Sequence, residues 1–372
     1  MISGKHRDTV AIIHKDAIYN NLKNEMNYLE ADTEVYAVVK ANGYGHGALE
    51  VAEIARQAGV NGFCVAILDE ALELRHAGFT EPILILGIVD AEYADLLAKY
   101  QIRVNVSSLN WLKDANRQLV SSRCTEKLSI HLAIDTGMGR IGLRTIAEVQ
   151  EVEVYLSKVK AFNFEGIFTH FATADIENAD LFESQADKFE KLVKSLKKAP
   201  PYIHSANSAT GLWHLGNQKS IVRLGIAMYG LNPSGQELEL PFALEPAMSI
   251  ETKLVAVKQM HQGDTISYGA TYKSKEGEWI GTLPIGYADG WRRSLQGQTV
   301  LVEGYRCEIV GRVCMDQCMI RLPKEFPLGT KVVLVGKSQQ DEVTMQELAE
   351  HLDTIHYEIT CGLTARLPRV YQ

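Results

Sequence analysis

Val35-Tyr36-Ala37-Val38-Val39-Lys40-Ala41-Asn42-Gly43-Tyr44-Gly45-His46-Gly47 sets an uncharged, mostly apolar run against a lysine and a glycine-rich turn. Such a run reads as a buried strand, which puts Lys40 at the strand's carboxyl edge. An ammonium there is costly to desolvate unless chemistry uses it. A lysine with a lowered pKa acts as a base or forms an imine with an aldehyde. Glycines at 43, 45 and 47 let backbone approach a bulky ligand, and Tyr44 adds a hydroxyl. A plain surface lysine ahead of a loop is the competing reading. The surrounding pattern decides between them.

From residue 34 to about 230, short apolar runs alternate with longer amphipathic stretches. Strand-like runs fall near 35–39, 62–67, 83–87, 102–106, 128–134, 164–169, 202–205 and 221–224, with helix-like segments such as 48–58, 68–76, 91–99, 144–158 and 180–198 between them. Eight strands separated by helices predict an α/β fold built on an N-terminal (β/α)8 barrel of the TIM type. An open doubly wound sheet would not need this strand count, and no G-x-G-x-x-G opens the first unit. Barrel enzymes carry their sites on loops after the strands' carboxyl ends. Lys40, His170, Asn207, Ser208, Arg223, Gly225 and Ile226 all fall at such positions. Ser208 and the amides of Gly225 and Ile226 suit the phosphate site that barrels often build after their last two strands.

The chain of 372 residues is long enough for two domains. Its net charge of −8 argues against general binding to nucleic acid or anionic membranes. No apolar stretch reaches transmembrane length, and the first residues lack a signal peptide's apolar core, so a cytoplasmic protein is expected. Six scattered cysteines form no C-x-x-C pair; Cys314 and Cys318 have no second pair to complete a zinc site, and reduced, mostly buried thiols are expected.

After Pro241 the pattern changes. Runs such as 251–257, 279–283, 299–302, 307–313 and 331–335, separated by Gly, Pro and Asp, predict a mostly β domain with one helix near 344–352. The segment 235–246 is a plausible boundary, giving a barrel over 1–240 and a β domain over 241–372.

The chain closely resembles the alanine racemases, barrel-type pyridoxal-phosphate enzymes. The likeness runs through Ala37–Gly47, Asp135-Thr136-Gly137-Met138-Gly139-Arg140-Ile141-Gly142, His204-Ser205-Ala206-Asn207-Ser208 and Val222–Gly230. It continues through Ser267-Tyr268-Gly269-Ala270-Thr271-Tyr272, Ile285-Gly286-Tyr287-Ala288-Asp289-Gly290, Gly311–Asp316 and Tyr357-Glu358. The resemblance implies interconversion of L- and D-alanine on pyridoxal 5'-phosphate, supplying D-alanine for peptidoglycan. It implies that Lys40 holds the cofactor covalently. Tyr44, Ser208, Tyr357 and the Gly225 and Ile226 amides would bind its phosphate, and Arg223 its pyridine nitrogen. A guanidinium keeps its proton, so the nitrogen would remain an acceptor and the ring a modest electron sink. Lys40 and Tyr268 would be the two opposed bases. A tyrosine ionises near ~10, so Tyr268 needs positive neighbours; the family's chain of groups corresponds to His170, Arg223 and His204 here. Arg140 would meet the substrate carboxylate. Tyr268 and Met315 would reach the site of a second subunit, which implies a homodimer. Arg312, Arg293, Asp175, Tyr287 and Ile355 match positions lining the family's route to the site.

Two positions depart from the family. Ala133 stands where many members carry a carbon-dioxide-modified lysine that orients the arginine corresponding to Arg140. Another group, or a bound anion such as chloride, would have to do so here, unless Arg140 is held more loosely. Gly43 replaces the usual alanine and should only loosen the loop. The alternatives are a racemase with serine or broad specificity, a pyridoxal-phosphate carrier without turnover, and a barrel-type decarboxylase. The single-domain carriers lack the second domain and its tyrosine, and the decarboxylases pattern that domain differently.

Overall fold

The first strand, β1 (Val10–Ile13), is followed by eight more that the sequence spaces evenly: β2 (Glu34–Val38), β3 (Gly62–Val65), β4 (Ile83–Ile85), β5 (Ile102–Val106), β6 (Leu128–Ala133), β7 (Phe162–Phe168), β8 (Tyr202–His204) and β9 (Ile221–Leu224). The computed structural model describes residues 2–217 and 219–372. Strands β9, β2, β3, β4, β5, β6, β7 and β8 lie side by side in that order, each parallel to its neighbours. A parallel bridge between Ala206 and Val222 draws β8 toward β9, and the Arg223 amide donates to the Ala206 carbonyl at 3.1 Å. The result is the expected barrel.

Helices cover it because their apolar residues recur on one side. Asp180–Lys194 buries Phe182, Gln185, Phe189 and Leu192 at helical spacing. Ile146–Lys158 starts on Thr145, whose hydroxyl accepts the Glu148 amide while Glu148 returns a bond to the Thr145 amide. Leu109–Ser121 was not among the helices read from the sequence. Its buried stripe is thin, only Leu112, Ala115 and Leu119 among polar residues.

The chain divides into two compact units, one of residues 18–43 and 48–245, the other of residues 1–17, 44–47 and 246–372. Residues 1–17, read with the barrel from the sequence, thus join the β unit. There β1 pairs antiparallel with Met248–Lys253 and parallel with Arg369–Tyr371. A four-residue apolar strand names no partner locally, so its pairing with the far end of the chain is invisible to periodicity.

The β unit also holds a three-stranded antiparallel sheet, Ala256–Gln259, Trp279–Leu283 and Cys318–Leu322. The run 251–257, read as one strand, breaks at Leu254 into two strands of different sheets. The helix expected near 344–352 is Met345–His351, and a second, His356–Gly362, follows it. Cys64, Cys307 and Cys318 are buried, whereas Cys361 is exposed. Among the described residues no helix is long and apolar enough to cross a membrane.

Candidate active site

The barrel's carboxyl rim is built from strand ends that carry polar groups. Lys40 follows β2, where the Val39 amide donates to the Cys64 carbonyl of β3 at 2.9 Å. Beyond it Ala41, Asn42 and Gly43 take left-handed backbone angles near φ +52°, +54° and +60°. The expected glycine loop is therefore one turn of left-handed helix. Three bonds within the barrel unit pin it. The Ala41 amide donates to Glu70 at 2.7 Å, Asn42 Oδ1 accepts the Ala48 amide at 3.0 Å, and the Gly43 amide donates to the Val39 carbonyl at 2.8 Å. Glu70 also accepts the Ala66 amide at 2.8 Å, so one carboxylate ties the lysine loop to the next strand's end. Sequence reasoning missed Glu70, because an acid in the first turn of a helix is ordinary.

Ser208 opens the short helix Ser208–Trp213, with Asn207 as its cap accepting the Thr210 amide at 3.0 Å. The Ser208 hydroxyl accepts the Gly225 amide at 2.9 Å and the Ala227 amide at 3.4 Å. Ile226 begins the turn Ile226–Tyr229, and a first-position amide has no acceptor inside its own turn. A hydroxyl and amides thus converge where β8 and β9 end, a donor set that fits a phosphate.

Arg223 lies on β9 and is only 3% exposed. Its Nη1 donates to His204 Nδ1 at 2.7 Å, and its Nη2 donates to the carbonyls of Thr169 at 2.9 Å and Ser205 at 3.2 Å and to His170 Nδ1 at 3.4 Å. Its Nε–H has no partner among the described residues. An N–H not used by the protein could donate to an acceptor such as a ring nitrogen. Burial lowers the guanidinium to about 10, which still leaves it charged at neutral pH. Burial, with Arg223, Arg140 and Lys40 nearby, drives His170 well below the ordinary imidazole value, so its ring is neutral.

Arg140 lies in the glycine-rich loop after β6, whose first turn Asp135 organises by accepting the Gly137 amide at 3.1 Å and the Gly139 amide at 2.9 Å. Arg140 itself is exposed and makes no hydrogen bond or ion pair among the described residues. Ala133 is buried and paired with Phe168. Among the described residues no side chain takes the place of that lysine beside Arg140.

In the β unit, Tyr44 and Tyr357 face each other with ring centroids 6.0 Å apart. Gly45 makes that approach possible: a Cβ there would come within 2.1 Å of the Thr360 carbonyl of the helix His356–Gly362. Arg369 donates to the Gly45 carbonyl at 2.9 Å and Tyr371 to the His46 carbonyl at 3.0 Å, fixing the segment to the chain's last strand. Tyr268 is 71% exposed on a turn where Ser267 has φ +64° and Gly269 φ +77°. The Ser267 hydroxyl donates to the Arg312 carbonyl and anchors that turn. Met315, Tyr287 and Ile355 are also exposed. Asp289, in the motif Ile285–Gly290, is fully buried between Arg7 and Arg366 and accepts the Gly286 amide. It is a structural pin.

The alanine racemase N-terminal domain model matches residues 13–233 and the C-terminal domain model residues 247–371. An alanine racemase of Pediococcus pentosaceus is 52% identical, over 100% of this chain and 98% of its own. The crystal structure of alanine racemase from E. faecalis has a TM-score of 0.98 at 51% identity, covering all of both chains. A histidine racemase from Leuconostoc mesenteroides subsp. sake has a TM-score of 0.93 at 35% identity, covering 100% of this chain and 99% of that one. Both domain models and full-length relatives agree, and the chain belongs to the alanine racemase family of isomerases.

Proposed function

We propose that this enzyme interconverts L- and D-alanine with pyridoxal 5'-phosphate, acting as a cytoplasmic homodimer that supplies D-alanine for peptidoglycan. The observation that carries the reading is buried Arg223, a cation whose hydrogen-bond partners among the described residues are all neutral, on the same barrel rim as Lys40 and the Ser208–Gly225–Ile226 donor cluster. Lys40 would hold the cofactor covalently. Ser208, Tyr44, Tyr357 and the amides of Gly225 and Ile226 would bind its phosphate, and Arg223 its ring nitrogen beside neutral His170. When bound, the cofactor supplies an electron-withdrawing ring that acidifies the substrate's α-hydrogen.

The chain's own groups do the rest. Arg140, exposed and unpaired, is available to a substrate carboxylate. Lys40 moves the proton at Cα on the face that handles D-alanine. Tyr268, 71% exposed in its own chain, moves it on the opposite face in a second copy, where Met315 joins it. Arg223 keeps its proton and stays charged, so it would donate to the ring nitrogen rather than protonate it, which would favour prompt return of the proton over side reactions.

The test is to incubate the enzyme with L-alanine in heavy water, with and without added pyridoxal phosphate. Loss of optical rotation with deuterium at Cα is expected, and no exchange with cofactor present refutes the reading. A second reading, racemisation of a different or broader set of amino acids, is favoured by the likeness to a histidine racemase at 35% identity. Relative kcat/KM for alanine, serine and histidine separates the two.

A further inference from the structure

Arg223 is a buried cation whose hydrogen-bond partners among the described residues are all neutral: two imidazoles and two carbonyls. The nearest carboxylate in its hydrogen-bonded network lies two rings away. His204 Nε2 meets His131 Nδ1 at 2.8 Å, His131 Nε2 meets Glu165 Oε2 at 3.4 Å, and Arg103 clamps Glu165 at 2.9 and 3.2 Å. The rings are 0% and 1% exposed. The chain crosses the barrel interior from β9 through β8, β6 and β7 to β5.

Two backbone devices serve this arrangement. The β6–β7 ladder passes from Ile130 opposite Phe164 to His131 opposite Gly166, so Glu165 is the extra, bulged residue. Bulges re-aim side chains. A Cβ at Gly166 would sit 2.3 Å from His131 Nδ1, so the ring occupies space that glycine alone leaves. Both devices are local departures from regular sheet, and both concern the same two side chains.

Proton bookkeeping gives the chain a direction. A guanidinium only donates, so His204 Nδ1 must accept. A neutral His204 then carries its hydrogen on Nε2 and donates to His131 Nδ1, which leaves His131 to donate from Nε2 to the carboxylate. Burial holds both rings below the ordinary imidazole value, and the His131 and Arg103 bonds outweigh burial to keep Glu165 ionised.

We propose that Glu165 and His131 are positioning residues: the carboxylate fixes both ring tautomers so that His204 always presents a bare Nδ1 to Arg223 and holds its guanidinium in place. With the opposite tautomer, two donors would face each other at 2.7 Å and the guanidinium would tilt away. Its Nε–H would tilt with it. The consequence for the cofactor rests on the reading of Arg223 as the partner of the ring nitrogen.

The experiment is nitrogen-15 NMR of histidine-labelled enzyme, with and without pyridoxal phosphate, beside the Kd for that cofactor. In the wild type His131 and His204 are expected to carry hydrogen on Nε2 in both states. In Glu165→Gln the amide nitrogen must face either Arg103 or His131. His204 should then populate the Nδ1–H tautomer, and Kd should rise about tenfold. His131→Leu, which keeps an apolar group in the barrel, should raise Kd similarly, and the double variant should do no more than the larger single change. Wild-type tautomers in Glu165→Gln, unchanged Kd in both single variants, or additive effects in the double variant would overturn the proposal. If Arg223→Leu binds pyridoxal phosphate as tightly as the wild type, the reading of Arg223 fails, while the tautomers of the cofactor-free protein still judge the relay.

Discussion

Lys40 is followed by Ala41, Asn42, Gly43 and Tyr44, whose φ angles are +52°, +54°, +60° and +51°. A left-handed turn costs about 1–2 kcal/mol for each residue with a Cβ. The bonds from Ala41 to Glu70, Asn42 to Ala48 and Gly43 to Val39 offset that cost and fix where the lysine's chain departs. Gly43 therefore does more than loosen the loop: it removes one share of the torsional penalty. A Cβ at Gly43 would lie 3.4 Å from Ala48 and Val51, ordinary contact, so room is not the issue. Gly43→Ala should lower stability by about 1 kcal/mol, read as a lower urea midpoint at unchanged slope. An unchanged midpoint would show the turn is not strained there. The rim positions were legible because the strand pattern puts Lys40, Ser208 and Arg223 at strand ends together, although each residue alone has an ordinary surface or structural use. The hand of the turn was not, since three alternating glycines permit many turns and only the fold selects one.

At the scale of elements, the helix Lys15–Tyr28 turns Glu25 toward the helix Ser208–Trp213 and strand β9. Glu25 Oε1 would lie 2.4 Å from a Cβ at Gly211, so the glycine makes space for the carboxyl. Neither carboxyl oxygen has a partner among the described residues, and burial raises its pKa from 4.5 to about 8. The folded chain thus keeps this proton up to about pH 8, while the unfolded chain releases it near 4.5. The stability it contributes is present below pH 4.5 and is lost as pH rises through about 8. Glu25→Gln should match the wild type near pH 4.5 and exceed it by up to a few kcal/mol above pH 8, by denaturant titration at both values. An equal difference at both pH values would refute the assignment. The eight barrel strands were legible because parallel strands buried on both faces read as unbroken apolar runs. The place of β1 was not, because its partners are set by tertiary contacts at the chain's other end. Glu165 and His131 escaped notice for a related reason. A charged residue in an apolar strand is a signal, but the bulge that turns it inward is set by the neighbouring strand.

At the scale of the whole molecule, the proposed site needs two copies of the chain, one supplying Lys40 and the other Tyr268. In the β unit Tyr268, Met315, Tyr287 and Ile355 are exposed. Complementation distinguishes a shared site from a self-contained one. Lys40→Ala and Tyr268→Phe homodimers should each be inactive, since each proposed site lacks one base. In a hybrid dimer one site pairs both altered residues and is doubly broken, while the other pairs an intact Lys40 with an intact Tyr268. Random association gives hybrids in half of the dimers, each with one working site, so co-expression should restore about a quarter of wild-type racemisation. If each chain used its own tyrosine, every site in the hybrid would lack a base and no activity would return. Tyr268→Phe alone should keep its affinity for pyridoxal phosphate and lose deuterium exchange at Cα of L-alanine, which separates loss of a base from loss of the cofactor.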